Sequence, residues 1–303
     1  MMTTTAWLTR YALTAAARGW HVFPLTPGGK VPPRGFDSWE NRATTDPGTI
    51  RRWWARHPYN IGIACGPSGL VVLDLDTPKE GLRPPPSFDL PGVGDGADVL
   101  AVVCERAGHP FPTLETFQVR TRRGGMHLYY AAPDGPPLRN TEGDKGNGLG
   151  WLIDTRAHGG YVVGPGSFVD LPDGTGPYEV VHNAAPAMLP PWLFQRLSPP
   201  SLPPQRPVSV TVPDGRAGAY LRAALEREAE RVATAPAGER NRALYLAAVA
   251  LGQLTAGGAL TEHEVTRLLE QQGVAAGLTP SETRHTIASG LRAGAKRPRT
   301  VAA

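Results

Sequence analysis

Cysteine is nearly missing: the 303 residues hold two, Cys65 and Cys104. They lie far apart and form no CxxC pair, which argues against a thiolate zinc module and against a disulfide framework. Such usage fits a reducing cytoplasm, and a cysteine in an apolar run reads as a small core residue. No run of about 18 apolar residues occurs, so no membrane-spanning helix is expected. A signal peptide is not expected either, because no basic segment precedes residues 6–17 and Trp7, Arg10 and Tyr11 interrupt that run. Charge of one sign is also scarce. Lys and Arg number 31 against 27 Asp and Glu, a net charge of +4. That balance permits a polyanionic partner without requiring one. There is no internal repeat.

Proline and glycine are plentiful, at 32 and 36 residues, and they punctuate the chain. Apolar spacing predicts an amphipathic helix over residues 6–17, stopped by Gly19, and a strand over 20–25. Asp46 and Pro47 mark a helix start. Strands are expected at 61–65, 70–76, 116–121, 126–132, 152–156 and 161–163, with a β-rich stretch around 178–181 and a helix at 99–107 ending at Gly108. This mixture of hairpins and helices predicts an α+β catalytic domain over 1–197, with a mixed or antiparallel sheet flanked by helices. A Pro-rich linker over 198–215 follows, extended and semi-rigid. Beyond it, helical spacing and two capping boxes, at Thr261 and Thr279, predict a small all-α accessory domain over 216–303 with a basic C-terminal tail. Its cations Arg240, Arg242, Arg284, Arg292, Lys296 and Arg297 suit either a template phosphate chain or an ordinary solvated surface.

Three short segments carry the chemistry. In Leu73-Asp74-Leu75-Asp76 the two carboxylates share one face of a strand, because side chains two apart point the same way. Close carboxylates repel unless a cation lies between them, and hard oxygen donors suit Mg²⁺ or Mn²⁺. In Arg120-Thr121-Arg122-Arg123-Gly124-Gly125-Met126-His127, glycines allow backbone N–H groups to approach an anion that Arg122, Arg123 and His127 would face. In Ile153-Asp154-Thr155-Arg156, a carboxylate and a guanidinium share a face, and Ser167 follows a Gly-Pro-Gly bend where it could meet a phosphate or sugar. Each segment alone fits a plainer role: a capped turn, a hairpin with a basic tip, an ion pair. Together, three carboxylates with cations between them match a site for nucleotidyl transfer, in which metal-holding acids and phosphate clamps suffice.

These motifs resemble those of the bifunctional DNA primase/polymerase family of the archaeo-eukaryotic primase superfamily. An acidic DxD-type motif corresponds to Asp74 and Asp76, a second motif to its terminal His127, and a third to Asp154. The likeness extends to Gly19-Trp20-His21-Val22-Phe23-Pro24-Leu25 with Gly28-Gly29-Lys30, and to Ile50-Arg51-Arg52-Trp53-Trp54. It covers roughly residues 6–197 of the sequence. The resemblance implies metal ligation by Asp74, Asp76 and Asp154, triphosphate contact by His127, and nucleotide or template contacts by Lys30 and Arg156. It implies template-directed addition of nucleotides, primer synthesis included, with Mg²⁺ or Mn²⁺, single-stranded DNA and nucleoside triphosphates. A separate replicative helicase is a further expected partner, since GxxxxGK[ST] is absent. Trp53, Trp54 and Tyr129 are candidates for an aromatic floor under the DNA. The main departure is Gly125, where the family often has Ser two residues before the His. A catalytically inactive single-stranded-DNA-binding protein with the same fold is the alternative.

Overall fold

The computed structural model describes residues 4–112, 115–199, 208–211 and 216–302. The chain divides into two units, Met1–Pro200 and Ser201–Ala303. In the first, α1 (Thr4–Ala17), β1 (Val22–Leu25), α2 (Trp39–Arg42), α3 (Pro47–Trp54), β2 (Asn60–Ala64) and β3 (Leu70–Leu75) come in order. Then follow α4 (Gly96–Ala107), β4 (Phe117–Arg120), β5 (Met126–Ala131), β6 (Ile153–Arg156) and β7 (Tyr161–Val163). The unit closes with β8 (Phe168–Leu171), β9 (Gly174–Pro177), β10 (Glu179–His182), β11 (Ala187–Met188) and α5 (Pro191–Leu197). The fold is α+β, as expected from the sequence.

Two sheets organise this unit. One has the order β1-β2-β7; the other runs β10-β4-β5-β3-β6, with β11 added to β5. The pairings along this second path are antiparallel, and only β11 pairs in parallel. Strand β3 shows why the sheet sits where it does. Val71, Leu73 and Leu75 point to one face, where Leu128, Tyr130 and Ile153 meet Val99, Leu100 and Cys104 of α4 and Leu193 and Leu197 of α5. Leu70 and Val72 point to the other, among Trp20, Phe23, Trp54, Ile63, Phe117 and Tyr129. Alternate residues of a strand buried on both faces give its nearly continuous apolar run. Asp74 belongs to the second face and breaks that run.

Both cysteines are buried and free. Trp54 and Tyr129 are 0% exposed, and the Trp54 indole donates to the Tyr59 carbonyl at 2.7 Å. These two rings therefore belong to the core, which corrects the expectation of an aromatic floor. Trp53 packs on Phe36 at 5.4 Å between centroids. Helix α4 starts earlier than the apolar spacing predicts, because Asp95 caps it: its carboxylate accepts from Ala97 and Asp98 N–H at 2.8 and 3.0 Å, and Asp98 reciprocates. Replacing Asp95 by alanine should cost about 1 kcal/mol, read from chemical denaturation.

The second unit holds β12 (Val208–Thr211), α6 (Ala217–Ala233), α7 (Arg240–Ala256), α8 (Glu262–Ala275), α9 (Pro280–Ala295) and β13 (Arg299–Ala302). The helices bury Leu244, Ala248, Leu251, Val265, Leu269 and Ile287. Thr261 closes the predicted capping box with Glu264 at α8, whereas Thr279 caps α9 by accepting from the Glu282 N–H, without the reciprocal bond among the described residues. Within the segment read as a linker, β12 pairs in parallel with β13 of the segment read as a basic tail. The rest of the linker's described part is residues 198–199; residues 200–207 and 212–215 lie outside the described residues. Arg242, Arg284, Arg292 and Lys296 are exposed, while Arg240 and Arg297 are half-buried. Among the described residues, no helix is long and apolar enough to cross a membrane.

Candidate active site

Asp74 is the centre of the site because of where β3 lies. In the antiparallel register it stands opposite His127 of β5 on one side and Asp154 of β6 on the other. Directly paired residues of neighbouring strands share a face, so His127, Asp74 and Asp154 form a row across the sheet. One row behind, Val72 lies between Tyr129 and Arg156. The first two are buried; Arg156 keeps 34% of its side chain exposed and reaches the site.

The row is internally connected. His127 Nε2 is 3.2 Å from Asp74 Oδ1, an ion pair when the imidazole is protonated. The His127 side chain is 4% exposed, and its Nδ1 is buried with no hydrogen-bond partner among the described residues. Asp154 Oδ2 accepts from Arg156 at 2.7 Å, and its Oδ1 accepts from the Gly143 N–H at 3.0 Å. Asp76 follows the end of β3. Its N–H donates to the Leu152 carbonyl at 2.9 Å, and its carbonyl accepts from the Gly96 N–H at 2.8 Å. Leu152 has φ 60°, a left-handed backbone that a leucine seldom adopts. The same strained residue that turns the chain into β6 thus fixes Asp76. Two glycines let the backbone close around Asp76. A Cβ on Gly96 would stand 2.9 Å from Asp76 N, and one on Gly125 would run into the Leu75 carbonyl oxygen.

The charges do not balance without help. Burial raises the Asp74 carboxyl, but His127, Arg156 and Lys30 outweigh it and hold the group below the usual carboxylate range. Asp76 is open to solvent as a residue, yet its carboxyl is crowded on the protein side. Lost hydration first, then the charges of Asp74 and Asp154, push it up to about 6. Burial chiefly raises Asp154, against Arg156 and the Gly143 N–H. Among the described residues, no three His, Cys, Asp or Glu side chains stand together in ligating geometry. The donor set nonetheless suits a hard cation. It consists of carboxylate oxygens whose mutual repulsion is already felt at Asp76, and a divalent ion would relieve that.

Beside the row opens a cleft of about 350 Å³, lined by Lys30, Asp74, Asn140, His127, Arg156 and Tyr178, with Trp39 and Tyr161 in its wall. The Lys30 loop is tied down by Tyr161, whose hydroxyl donates to the Lys30 carbonyl at 3.1 Å, and by Asn60, which donates to the Gly29 carbonyl at 2.9 Å. Burial and then the Arg122 charge lower the Lys30 ammonium, against Asp173, Asp74 and Asp76. Burial and the Asp74 charge raise the Tyr178 phenol, so it remains a neutral donor.

The structure thus brings together Asp74, Asp76, Asp154, His127, Lys30 and Arg156. Three other candidates are not among the cleft's lining residues and are held by other protein groups, although the Arg122 charge is felt at Lys30 and Tyr178. Arg122 is buried, donating to Asp173 at 2.6 Å and to the Gly174 carbonyl. Arg123 donates to the Pro78 carbonyl at 2.8 Å. Ser167 is 0% exposed, and its hydroxyl accepts from the Ile61 N–H at 2.9 Å. Sequence reading missed Trp39 and Asn140 altogether, and took Tyr161 and Tyr178 only as strand residues. The Asn140 side-chain Oδ1 accepts from the Ala157 N–H at 2.9 Å, holding the turn that follows Arg156.

The family model described as bifunctional DNA primase/polymerase, N-terminal, matches residues 12–192. No curated protein matches the chain.

Proposed function

The chain belongs to the bifunctional DNA primase/polymerase family, and from that premise we propose that it performs template-directed nucleotidyl transfer, in primer synthesis, DNA polymerisation or both. One observation carries this reading: the row His127–Asp74–Asp154, set by strand register beside a cleft with Lys30 and Arg156 in its lining. A nucleoside triphosphate in that cleft has His127, Lys30 and Arg156 for its phosphates. Asp74, Asp76 and Asp154 are the residues that would hold Mg²⁺ or Mn²⁺. The chemistry such ions would supply there is activation of the attacking hydroxyl and stabilisation of the leaving pyrophosphate. The primer 3′-oxygen forms the new bond to the α-phosphorus as the bond to the bridging oxygen breaks. His127, Lys30 and Arg156 neutralise the charge that accumulates on the departing phosphates. Trp39 and Tyr161 wall the cleft and narrow the approach of water. A single-stranded DNA template and a separate helicase complete the expected set of partners.

The test is incorporation of labelled nucleotides on single-stranded DNA with Mg²⁺ or Mn²⁺, with and without a primer. An Asp74→Ala/Asp76→Ala control runs beside it. Product without a primer that vanishes in the control supports a primase; product only with a primer supports a polymerase. No product in either format, despite DNA binding, would favour the inactive DNA-binding alternative. A narrower expectation concerns Lys30→Ala. It should lower kcat/KM for the nucleotide about tenfold, with kcat itself falling, as loss of a contact that strengthens on the departing phosphates does.

A further inference from the structure

The face of the larger sheet opposite Asp74 is covered by α4 and α5, and these helices border a groove of about 590 Å³. Nucleotidyl transfer as proposed uses none of it. Trp192 of α5 and His109, just past α4, form a nearly parallel stack in its wall, with centroids 4.9 Å apart and planes inclined by 7°. His109 is exposed and Trp192 half-buried. Arg106 stands over the Phe88 ring at 5.3 Å and donates to the Ser87 carbonyl at 2.8 Å. Arg196 also lines the groove and is exposed. Among the described residues its guanidinium has neither a hydrogen-bond nor an ion-pair partner. The lining contains two arginines and no carboxylate.

An accessible ring stack flanked by uncompensated guanidinium groups has the chemistry of a nucleic-acid strand site. Aromatic faces accept bases of any sequence, and arginines take the phosphates between them. An apolar partner would instead bury the Arg196 charge without a counter-charge, which is costly. We propose that this groove is a second single-stranded DNA site, on the far side of the sheet from the Asp74 row and bordered by the helices that cover that face. A base extends the Trp192–His109 stack, and Arg196 and Arg106 hold its flanking phosphates. The inference rests on the proposed function only for the identity of the polymer.

The experiment uses the full chain and fluorescently labelled oligothymidylate, with anisotropy read over a range of salt concentrations. Trp192→Ala is expected to weaken binding about tenfold and Trp192→Phe far less, since Phe keeps a stacking face. Arg196→Glu, at an exposed position that leaves the core alone, is expected to weaken binding and to flatten the log–log salt slope by about one. Iodouracil in the strand should crosslink to peptides carrying His109 or Trp192, and an excess of free thymidine triphosphate should not displace the strand from them. Unchanged affinity and salt slope in Arg196→Glu, or crosslinks confined to the Asp74 cleft, would overturn the proposal alone. So would displacement by the free nucleotide, which would make the groove a mononucleotide site. If the full chain binds no oligothymidylate, this proposal and the nucleic-acid part of the proposed function fall together.

Discussion

Asp74→Asn should reduce metal-dependent incorporation by about 10³-fold or more. The substitution keeps the shape of the side chain and an oxygen for His127, so packing of β3 is preserved. What it removes is the charge at the centre of the row. Asp74 is the carboxylate that its surroundings keep ionised, through His127, Arg156 and Lys30. Asp76, pushed up to about 6, and Asp154, also raised, are the less reliable anions without a cation present. Loss of Asp74 should therefore weaken Mn²⁺ binding, measured by calorimetry on the protein without nucleotide, as well as turnover. It should also let Asp76 ionise more readily, because one repelling charge is gone. Retention of incorporation within tenfold, with Mn²⁺ affinity unchanged, would show that the carboxylate row is not the catalytic centre.

Gly125→Ala should lower incorporation about 100-fold and stability by about 1–3 kcal/mol. Gly125 approaches the end of β3 so closely that an added methyl runs into the Leu75 carbonyl oxygen, with Thr121 Oγ1 at 3.1 Å and Asp76 Cα at 3.4 Å. A backbone oxygen cannot rotate away as a side chain can. The end of β3 must move, and Asp76 moves with it. Gly124→Ala is the informative contrast. Its φ of +89° strains any side chain by about 1–2 kcal/mol, but nothing lies within 4 Å of the added carbon. Both variants should melt earlier in thermal unfolding, whereas only Gly125→Ala should lose Mn²⁺ affinity. The same geometry accounts for the departure from the family pattern at this position. A serine here would meet the Leu75 carbonyl before its hydroxyl could serve a phosphate, so Gly125→Ser should resemble Gly125→Ala.

That Asp74, His127 and Asp154 would share one face of a sheet was legible in the sequence because it depends on local facts. Asp74, His127 and Asp154 each interrupt or end a β-branched, apolar run, and period-two alternation tells which neighbours share their face. Arg122, Arg123 and Ser167 looked equally suited to phosphate, because residue type and nearby glycines were the only signals. Their engagements are with Asp173, Gly174, Pro78 and Ile61, partners that tertiary folding brings together and no local pattern announces. The rings divided for a related reason. Trp54 and Tyr129 fill the core, while Trp39 and Tyr161 meet at 4.9 Å in the cleft wall from segments far apart in the chain. At Val208–Thr211 the clustered prolines drew attention from a short β-branched run. That run and its partner at Arg299–Ala302 were each too short to stand out alone.

The antiparallel ladder that sets Asp74 between His127 and Asp154 also divides the chain into stretches of very different tolerance to change in length. Because side chains alternate, adding or deleting one residue inside β3, β5 or β6 would send every later side chain of that strand to the opposite face. One such slip in β3 would carry Asp74 into the apolar layer under α4 and bring Leu73 or Leu75 into its place. The connections outside the sheet strands carry no such restriction. Relatives that retain the chemistry should therefore differ in the lengths of the connections before β4 and before β6, and agree in the lengths of the three strands.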